Sequence, residues 1–338
     1  MQNEAILLIN LGTPDSPEPG KVGKYLTQFL NDKRVIDINP IGRFILVNLI
    51  IVPFRSFRSS KLYKAIWGKD GSPLLLHSIN LKNKLQEKVK ETHFVELAMR
   101  YQKPSIAKAL ENIRKQRPEK IHIIPLYPQY ASSSTGSTLE EVLNQIKGWE
   151  VIPSLNIISK FYDHPRFIEA LVNEAKNYNI NNYDHVVFSY HGLPERQIIK
   201  GSVHYGNNTC KMGDCCNKIT ANNRYCYRAN SMETTRQLVK ALNIPEGKYV
   251  SSFQSRLDNK WLKPYSDKVI AELAEKGAKN ILVFSPAFVA DCLETIYEIG
   301  TEYQEIFTEH GGEKVTLVNS LNSNDVWVNA VKEIVIGK

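Results

Sequence analysis

Cysteine is scarce in this chain, five in 338 residues, which excludes a disulfide framework. Four of the five crowd between positions 210 and 226, and that bunching points to a metal site in a reducing compartment. Charge of one sign is also in short supply. With 43 Lys and Arg against 35 Asp and Glu, the net charge is +8, too small and too dispersed for nucleic acid, yet able to attract anionic small molecules or lipid headgroups. Long apolar runs are missing too. The longest uncharged run lies between Arg43 and Arg55 and is broken by Asn48 and Pro53, whereas a spanning helix needs about 20 apolar residues, so no transmembrane segment is expected. The amino terminus, Met1-Gln2-Asn3-Glu4, has no basic region and only the short run Ile6 to Ile9 behind it. No secretory signal is expected, the mature chain is expected to start here, and a cytoplasmic location follows. Internal repeats are too weak to prove duplication. Ser189 lacks a Gly-x-Ser-x-Gly elbow, which removes a hydrolase triad.

What is present is an ordinary globular composition, 42% hydrophobic and 23% charged, long enough for two domains. Aliphatic runs at 5–9, 121–124, 185–189 and 281–284 are apolar on both faces, as buried parallel strands are. Between them lie stretches with helical spacing: Val22, Tyr25, Leu26, Phe29 and Leu30; Ile106, Leu110 and Ile113; Phe167, Leu171 and Val172. Such alternation predicts an α/β fold of two Rossmann-like lobes with parallel sheets, residues 1–150 and 151–338, meeting near Gly148 to Pro153.

Ligands in open α/β sheets sit beyond the carboxyl ends of strands. The segments there are Asn10-Leu11-Gly12-Thr13-Pro14, Tyr127-Pro128-Gln129-Tyr130, Ser134-Thr135-Gly136-Ser137 and His191-Gly192-Leu193-Pro194. At about 100° per residue, Asp291, Glu294, Glu298, Glu302 and Glu305 fall within roughly an 80° arc of one α-helix. Like charges so spaced repel, by about 0.2–0.5 kcal/mol each. A solvated acidic face is one reading and a cation path the other. His191, held by the following Gly-Leu-Pro turn, is the partner that favours the cation path, because imidazole and carboxylate together suit ferrous iron and neutral imidazole accepts protons near neutral pH.

These residues resemble the ferrochelatase family, enzymes that insert ferrous iron into a porphyrin. The matches run nearly end to end and add Gly71-Ser72-Pro73-Leu74, Met99-Arg100-Tyr101, Gln254-Ser255-Arg256, Trp261-Leu262 and Asp291-Cys292-Leu293-Glu294-Thr295 to the four segments above. The resemblance implies a cleft between the lobes that holds the porphyrin, and a carboxyl-terminal helix, 324–336, returning to the first lobe. It implies that His191 and Glu294 form the iron site, with Asp291, Glu298 and Glu302 leading cations or protons to it. Leu11, Tyr101, Tyr127 and Tyr130 would press on the porphyrin face, and Arg100 would meet a propionate; packing and surface roles are the plain alternatives for each. The region Phe44 to Phe54, with Arg55, Arg58, Lys61 and Lys64 behind it, resembles the family's mobile lip. It would suit a lipophilic dianion and could rest on an anionic membrane.

Where many members continue through a Gly-Asp-Pro-Tyr turn, this chain has Gly201-Ser202-Val203-His204-Tyr205 and then a longer insert, 203–230. The insert resembles the iron-sulfur segment of some bacterial members. Cys210, Cys215, Cys216 and Cys226, spaced C-x4-C-C-x9-C, are expected to hold a [2Fe-2S] cluster, with zinc or free thiols as the alternatives. Protoporphyrin IX is the expected substrate, coproporphyrin III the alternative. A cobalt or nickel chelatase and a porphyrin carrier are the rival functions. Oligomeric state is not readable.

Overall fold

The computed structural model describes residues 3–204 and 210–337; the part of the predicted insert at 205–209 lies outside the described residues. The chain divides into two units, Met1–Tyr127 with Ala131–Lys160 and Asn322–Lys338, and Pro128–Tyr130 with Phe161–Leu321.

The first unit runs β1 (Glu4–Gly12), α1 (Pro19–Leu30), α2 (Pro40–Phe44), a π-helical stretch (Ile45–Ile51), α3 (Val52–Ile66), α4 (Pro73–Val89), β2 (His93–Tyr101), α5 (Ile106–Lys115) and β3 (Lys120–Pro125). A second π turn (Ser132–Gly136), α6 (Ser137–Ile146) and β4 (Ser154–Ile157) follow. The second unit runs α7 (Pro165–Ala175), β5 (His185–His191), α8 (Glu195–His204), α9 (Tyr227–Ala241), β6 (Tyr249–Gln254), α10 (Ser266–Glu275) and β7 (Asn280–Phe284). It ends with a π-helix (Glu294–Glu302), α11 (Tyr303–Glu309) and β8 (Lys314–Leu317), and the last helix, α12 (Asp325–Ile336), belongs to the first unit.

Each unit holds one four-stranded sheet, ordered β2-β1-β3-β4 and β6-β5-β7-β8, with every pairing parallel. This is the α/β architecture that the apolar runs predict. Ala5 to Ile9 are wholly buried, because helices cover both faces of a parallel sheet. In the first unit Ala5, Leu7 and Ile9 meet Ile106, Leu110 and Ile113 of α5 and Val142 and Ile146 of α6. In the second, Val187, Ile281 and Val283 meet Ile270 of α10 and Ile299, Tyr303 and Phe307. β1 ends at Gly12, whose φ of +110° and 2.0 Å gap between a built Cβ and Tyr101 O leave room for no side chain. α12 packs on α4, where Lys84 Nζ donates to Asp325 Oδ1 at 2.9 Å.

Two expectations are corrected. The apolar segment does not stop at Arg43 and Arg55: α2, the π-helical stretch and α3 join into one 27-residue helix, Pro40–Ile66, long and apolar enough by composition to cross a membrane. Charge counting ended the run at two arginines that the helix carries through. Its Val52–Ile66 half is docked, however, with Ser56, Ser59, Ser60 and Tyr63 buried and Ser60 Oγ donating to Pro17 O at 2.6 Å. The second correction concerns the acidic helix. Glu294–Glu302 is a π-helix, with Tyr303 N–H donating to Glu298 O, and Asp291 precedes it rather than lying on it. With i→i+5 bonding a turn takes roughly 4.4 residues, so the four-residue spacing of Glu294, Glu298 and Glu302 falls a little short of a turn and still keeps them on one side.

Candidate active site

His191 closes β5, and its partner in register on β6 is Gln254. Gly192 follows because nothing larger fits: a Cβ there would stand 2.6 Å from Gln254 O. The imidazole Nδ1 lies 2.6 Å from Gly192 O, so it donates its proton there and leaves the Nε2 lone pair free. Tyr227 OH fixes the His191 carbonyl at 2.9 Å, and Phe288 flanks the ring with centroids 6.3 Å apart. Ser189, two residues earlier, is wholly buried and bonds Gln254 Oε1 and Ser266 Oγ, each at 2.9 Å.

Gln254 carries the order of β6 over to the acidic helix. Its Nε2 donates to Glu294 O and to Glu298 Oε2, both at 3.2 Å. Glu298 also accepts from Ser255 N–H at 2.8 Å, from Ser255 Oγ and from Tyr303 OH at 3.2 Å. This carboxylate is therefore fixed in place, at a turn where Ser255 adopts a φ of +60°. Asp291 Oδ1 accepts from Thr295 Oγ1 at 3.1 Å and from Ser320 N–H at 3.3 Å. Glu294 faces the Cys292 thiol. Burial pushes that thiol well above its usual value, and the Glu294 charge adds to the effect. Beyond Glu298 and Glu302 opens a depression of about 320 Å³, lined also by Ser255, Arg256, Asp267, Tyr303 and Ile306. It includes neither His191 nor Glu294.

In the first unit Leu11 is the last residue but one of β1, half-buried, with its N–H on Asn10 Oδ1 at 2.9 Å. Arg100 and Tyr101 are committed to one another and to Asp32. The Arg100 guanidinium donates to Asp32 Oδ2 (2.8 Å) and Ser137 Oγ (2.7 Å) and lies 4.7 Å from the centre of the Tyr101 ring. Tyr101, wholly buried, donates to the same carboxylate oxygen at 3.0 Å. Burial raises the Tyr101 hydroxyl far above its ordinary range, with the Asp32 charge adding to it. Tyr127 is raised by burial as well, beside Thr138. Tyr130, in the second unit, meets Tyr225 of the insert edge to face, with centroids 5.4 Å apart.

The four insert cysteines are all reduced and lie near one another. Cys215 and Cys216 sulfurs are 4.0 Å apart. Cys216 contacts Cys226 and Arg228, whose hydrogen bonds pull its thiol down to about 5, while Cys226, at the N-cap of α9, is pushed up by donating to it. Asn223 ties the loop by donating to Cys215 O at 2.6 Å and Lys218 O at 2.8 Å, and Arg236 donates to Cys216 O at 3.2 Å. A thiolate held by an arginine beside three further thiols is a donor set that suits a thiophilic metal centre. One tetrahedral zinc would need all the sulfurs within roughly 3.8 Å of one another. Among the described residues only Glu4, His93 and His122 gather three such donor atoms within 4.8 Å, so no three of the thiols come that close together, although neighbouring pairs do.

Sequence reasoning singled out Ser137, Gln254 and Ser255 only as parts of motifs, and missed the roles of Asp32 and Tyr303. Their signal, a buried polar side chain, has no local periodicity.

A family model described as Ferrochelatase matches residues 3–338. Curated relatives named Ferrochelatase include one from Legionella pneumophila (strain Lens), 44% identical over 331 residues and covering 98% of each chain. Another, from Coxiella burnetii (strain Dugway 5J108-111), is 41% identical and covers 97% of this chain and 92% of its own. The solved structure of SirB from Bacillus subtilis with Fe3+ matches with a TM-score of 0.55 over 99% of this chain and 96% of that one. At 13% identity it shows a shared fold alone.

Proposed function

From the premise that the chain belongs to the ferrochelatase family, we propose that it inserts ferrous iron into protoporphyrin IX, with His191 and Glu294 at the reacting centre. The observation that supports this most is the His191 ring, whose Nδ1 is spent on Gly192 O so that Nε2 offers a lone pair. Metallation replaces two pyrrole N–H protons by one Fe2+. Two bases are therefore needed, and an imidazole and a carboxylate supply both while also serving as iron ligands. Asp291, Glu298 and Glu302 form the acidic approach. Glu298, with its four donors, serves as the anchor of that approach, and Glu302 as its outer step. Leu11, Tyr127 and Tyr130 are assigned to the macrocycle, whereas Tyr101, wholly buried with its hydroxyl on Asp32, is held back from direct contact. Arg100 is held back likewise: with its guanidinium engaged by Asp32 and Ser137, it positions Tyr101 rather than reaching out to a propionate.

Cys210, Cys215, Cys216 and Cys226 would hold a [2Fe-2S] cluster. The spread of the thiols favours two irons over a single zinc, and the cluster would supply a rigid, one-electron redox-active brace to a loop with little apolar material. The 27-residue helix would lie on an anionic membrane surface rather than span it. Ile41, Phe44, Leu49, Phe54 and Phe57 are each more than half exposed, arginines follow them, and the docked serine face would have to be stripped for a spanning pose. The rest of the chain would remain in the cytoplasm.

An anaerobic assay with Fe(II) tests the reading. Haem formed at a catalytic rate from protoporphyrin IX, faster than from coproporphyrin III, is expected. Faster turnover of coproporphyrin III would move the substrate, and porphyrin binding without iron-dependent turnover would make the chain a carrier.

A further inference from the structure

Three strands of the first sheet bring metal-type donors together at their amino ends, remote from Leu11. Parallel register sets Glu4 of β1 beside His93 of β2 and Lys120 of β3, and His122 shares the Lys120 face by the two-residue period of a strand. Glu4 Oε2 lies 2.6 Å from His122 Nε2 and 3.5 Å from His93 Nε2. All three donor atoms fall within 4.8 Å of one another. Each imidazole side chain is 6% exposed and that of Glu4 31%, so the cluster opens to solvent on one side. Gly12, at the other end of β1, is about 26 Å along the strand at 3.3 Å per residue.

The hydrogen bonds behind the rings decide what the nitrogens can do. Thr92 Oγ1 donates to Val89 O at 3.3 Å and so accepts from His93 Nδ1 at 2.8 Å. A neutral ring with its proton on Nδ1 presents a bare lone pair at Nε2. That Nε2 is buried, has no hydrogen-bond partner and faces a carboxylate oxygen. Lone pair against anion is repulsive, and a cation between them removes the conflict. His122 meets the same oxygen, and its Nδ1 faces Asn156 Nδ2 at 2.9 Å. Asn156 is exposed, and a half-turn of its amide presents Oδ1, which would hold a proton on Nδ1 and free the Nε2 lone pair. Each ring then has the outer partner that orients a ligating histidine.

We infer that Glu4, His93 and His122 form a divalent transition-metal site of two imidazoles and one carboxylate at the amino end of the first sheet. Ligand bonds of about 2.0–2.1 Å place donors roughly 3.3 Å apart in a tetrahedral shell. The His93 contact already stands near that separation, and the His122 contact reaches it by opening less than about 1 Å. Lys120 Nζ, 3.1 Å from Glu4 Oε1, is the competing cation; its side chain is 41% exposed and free to swing aside. Two imidazoles select zinc, cobalt or ferrous iron over magnesium and calcium, which prefer all-oxygen shells.

Cobalt(II) is the probe on the intact chain. Metal-depleted wild type, His93→Gln and His122→Gln are loaded anaerobically, desalted, and compared for bound cobalt and for visible absorption. Each variant is expected to bind one cobalt fewer per chain and to lose a component without thiolate charge transfer. The rate of porphyrin metallation should stay within about twofold. Asn156→Ala should weaken that cobalt by about 10–100-fold, as loss of an outer partner does. Equal cobalt in wild type and both variants overturns the site and leaves a proton-bridged cluster. Should neither variant fold, nitrogen NMR of the unmutated chain decides: one equivalent of zinc must shift the Nε2 signals of two histidines assigned to 93 and 122, and unshifted signals overturn it.

Discussion

Gln254 donates from Nε2 to Oε2 of Glu298 at 3.2 Å and, through the same nitrogen, to the backbone oxygen of Glu294. Because Gln254 is also the register partner of His191, one amide fixes the acidic helix against the strand that ends in the imidazole. The placement of the acidic helix beside the end of β5 is thereby built into the sheet.

Gln254→Met keeps the volume and removes the tie. Turnover of iron and porphyrin is expected to fall by about 10–100-fold with little change in porphyrin affinity, since misplacement of catalytic groups by an ångström costs about that much. Leaving Ser189 Oγ and Glu298 each short of a partner should also lower stability by about 1–3 kcal/mol, read by urea denaturation. Unchanged kcat would show that the helix holds its own position.

The carboxylates should separate into two kinds. His191→Ala and Glu294→Gln are expected to nearly abolish metallation while porphyrin still binds, because in the proposed mechanism they remove a base and ligand at the reacting atoms. Glu302→Gln should be mild, as an outer step has neighbours to compensate. Glu298→Gln should differ from both, lowering the melting temperature as well as the rate, since its amide cannot accept from all of Gln254, Ser255 and Tyr303. Retention of full stability in Glu298→Gln, or a Glu302 effect larger than that of Glu294, would contradict this order.

The parallel fold was legible where strands are aliphatic on both faces, at β1, β3, β5 and β7. β2 and β6 carry polar residues whose burial is decided by distant partners. β6 reads Tyr-Val-Ser-Ser-Phe-Gln, and its Ser252 is buried by bonding Ser266 Oγ at 2.8 Å. β4 and β8 are short edges with little apolar signal. His191 was legible because a Gly-Leu-Pro turn follows it. The Asp32 partnership with Arg100 was not, because 68 residues separate the two in sequence. A rotation of 100° per residue cannot anticipate a π-helix, since the i→i+5 choice leaves no mark in apolar spacing.

The Arg100 and Asp32 pair yields a further expectation. Asp32 is 5% exposed in its side chain and Arg100 15%, so removing the cation strands a buried carboxylate. Arg100→Met should cost about 3–5 kcal/mol in denaturant unfolding, whereas Arg100→Met with Asp32→Leu should recover most of it, as replacement of both partners of a buried pair does. If Arg100 instead bound a propionate directly, the single variant would raise KM for porphyrin at nearly wild-type stability. A double variant as unstable as the single one would show that Asp32 is needed by Tyr101 and Ser137 rather than by the arginine.

The insert cysteines give the sharpest spectroscopic test. The Cys216 thiol is pulled below its ordinary value, because the Cys226 thiol donates to it and Arg228 lies beside it. A thiol so activated would be readily oxidised, and coordination by the proposed cluster would protect it. Protein purified without oxygen should therefore be reddish, with about two iron and two sulfide per chain and few titratable thiols. Serine at any one of Cys210, Cys215, Cys216 or Cys226 should bleach the colour. It should also expose the loop between α8 and α9 to proteolysis, because the proposed cluster would supply order that apolar contacts there do not. Cys292→Ser should leave the colour intact, since its thiol is buried beside Glu294 and not with the others. Stoichiometric zinc without sulfide, or thiols that all titrate in freshly purified protein, would remove the cluster. Neither outcome would touch the proposed roles of His191 and Glu294, which rest on β5, β6 and Gln254 and not on what the cysteines hold.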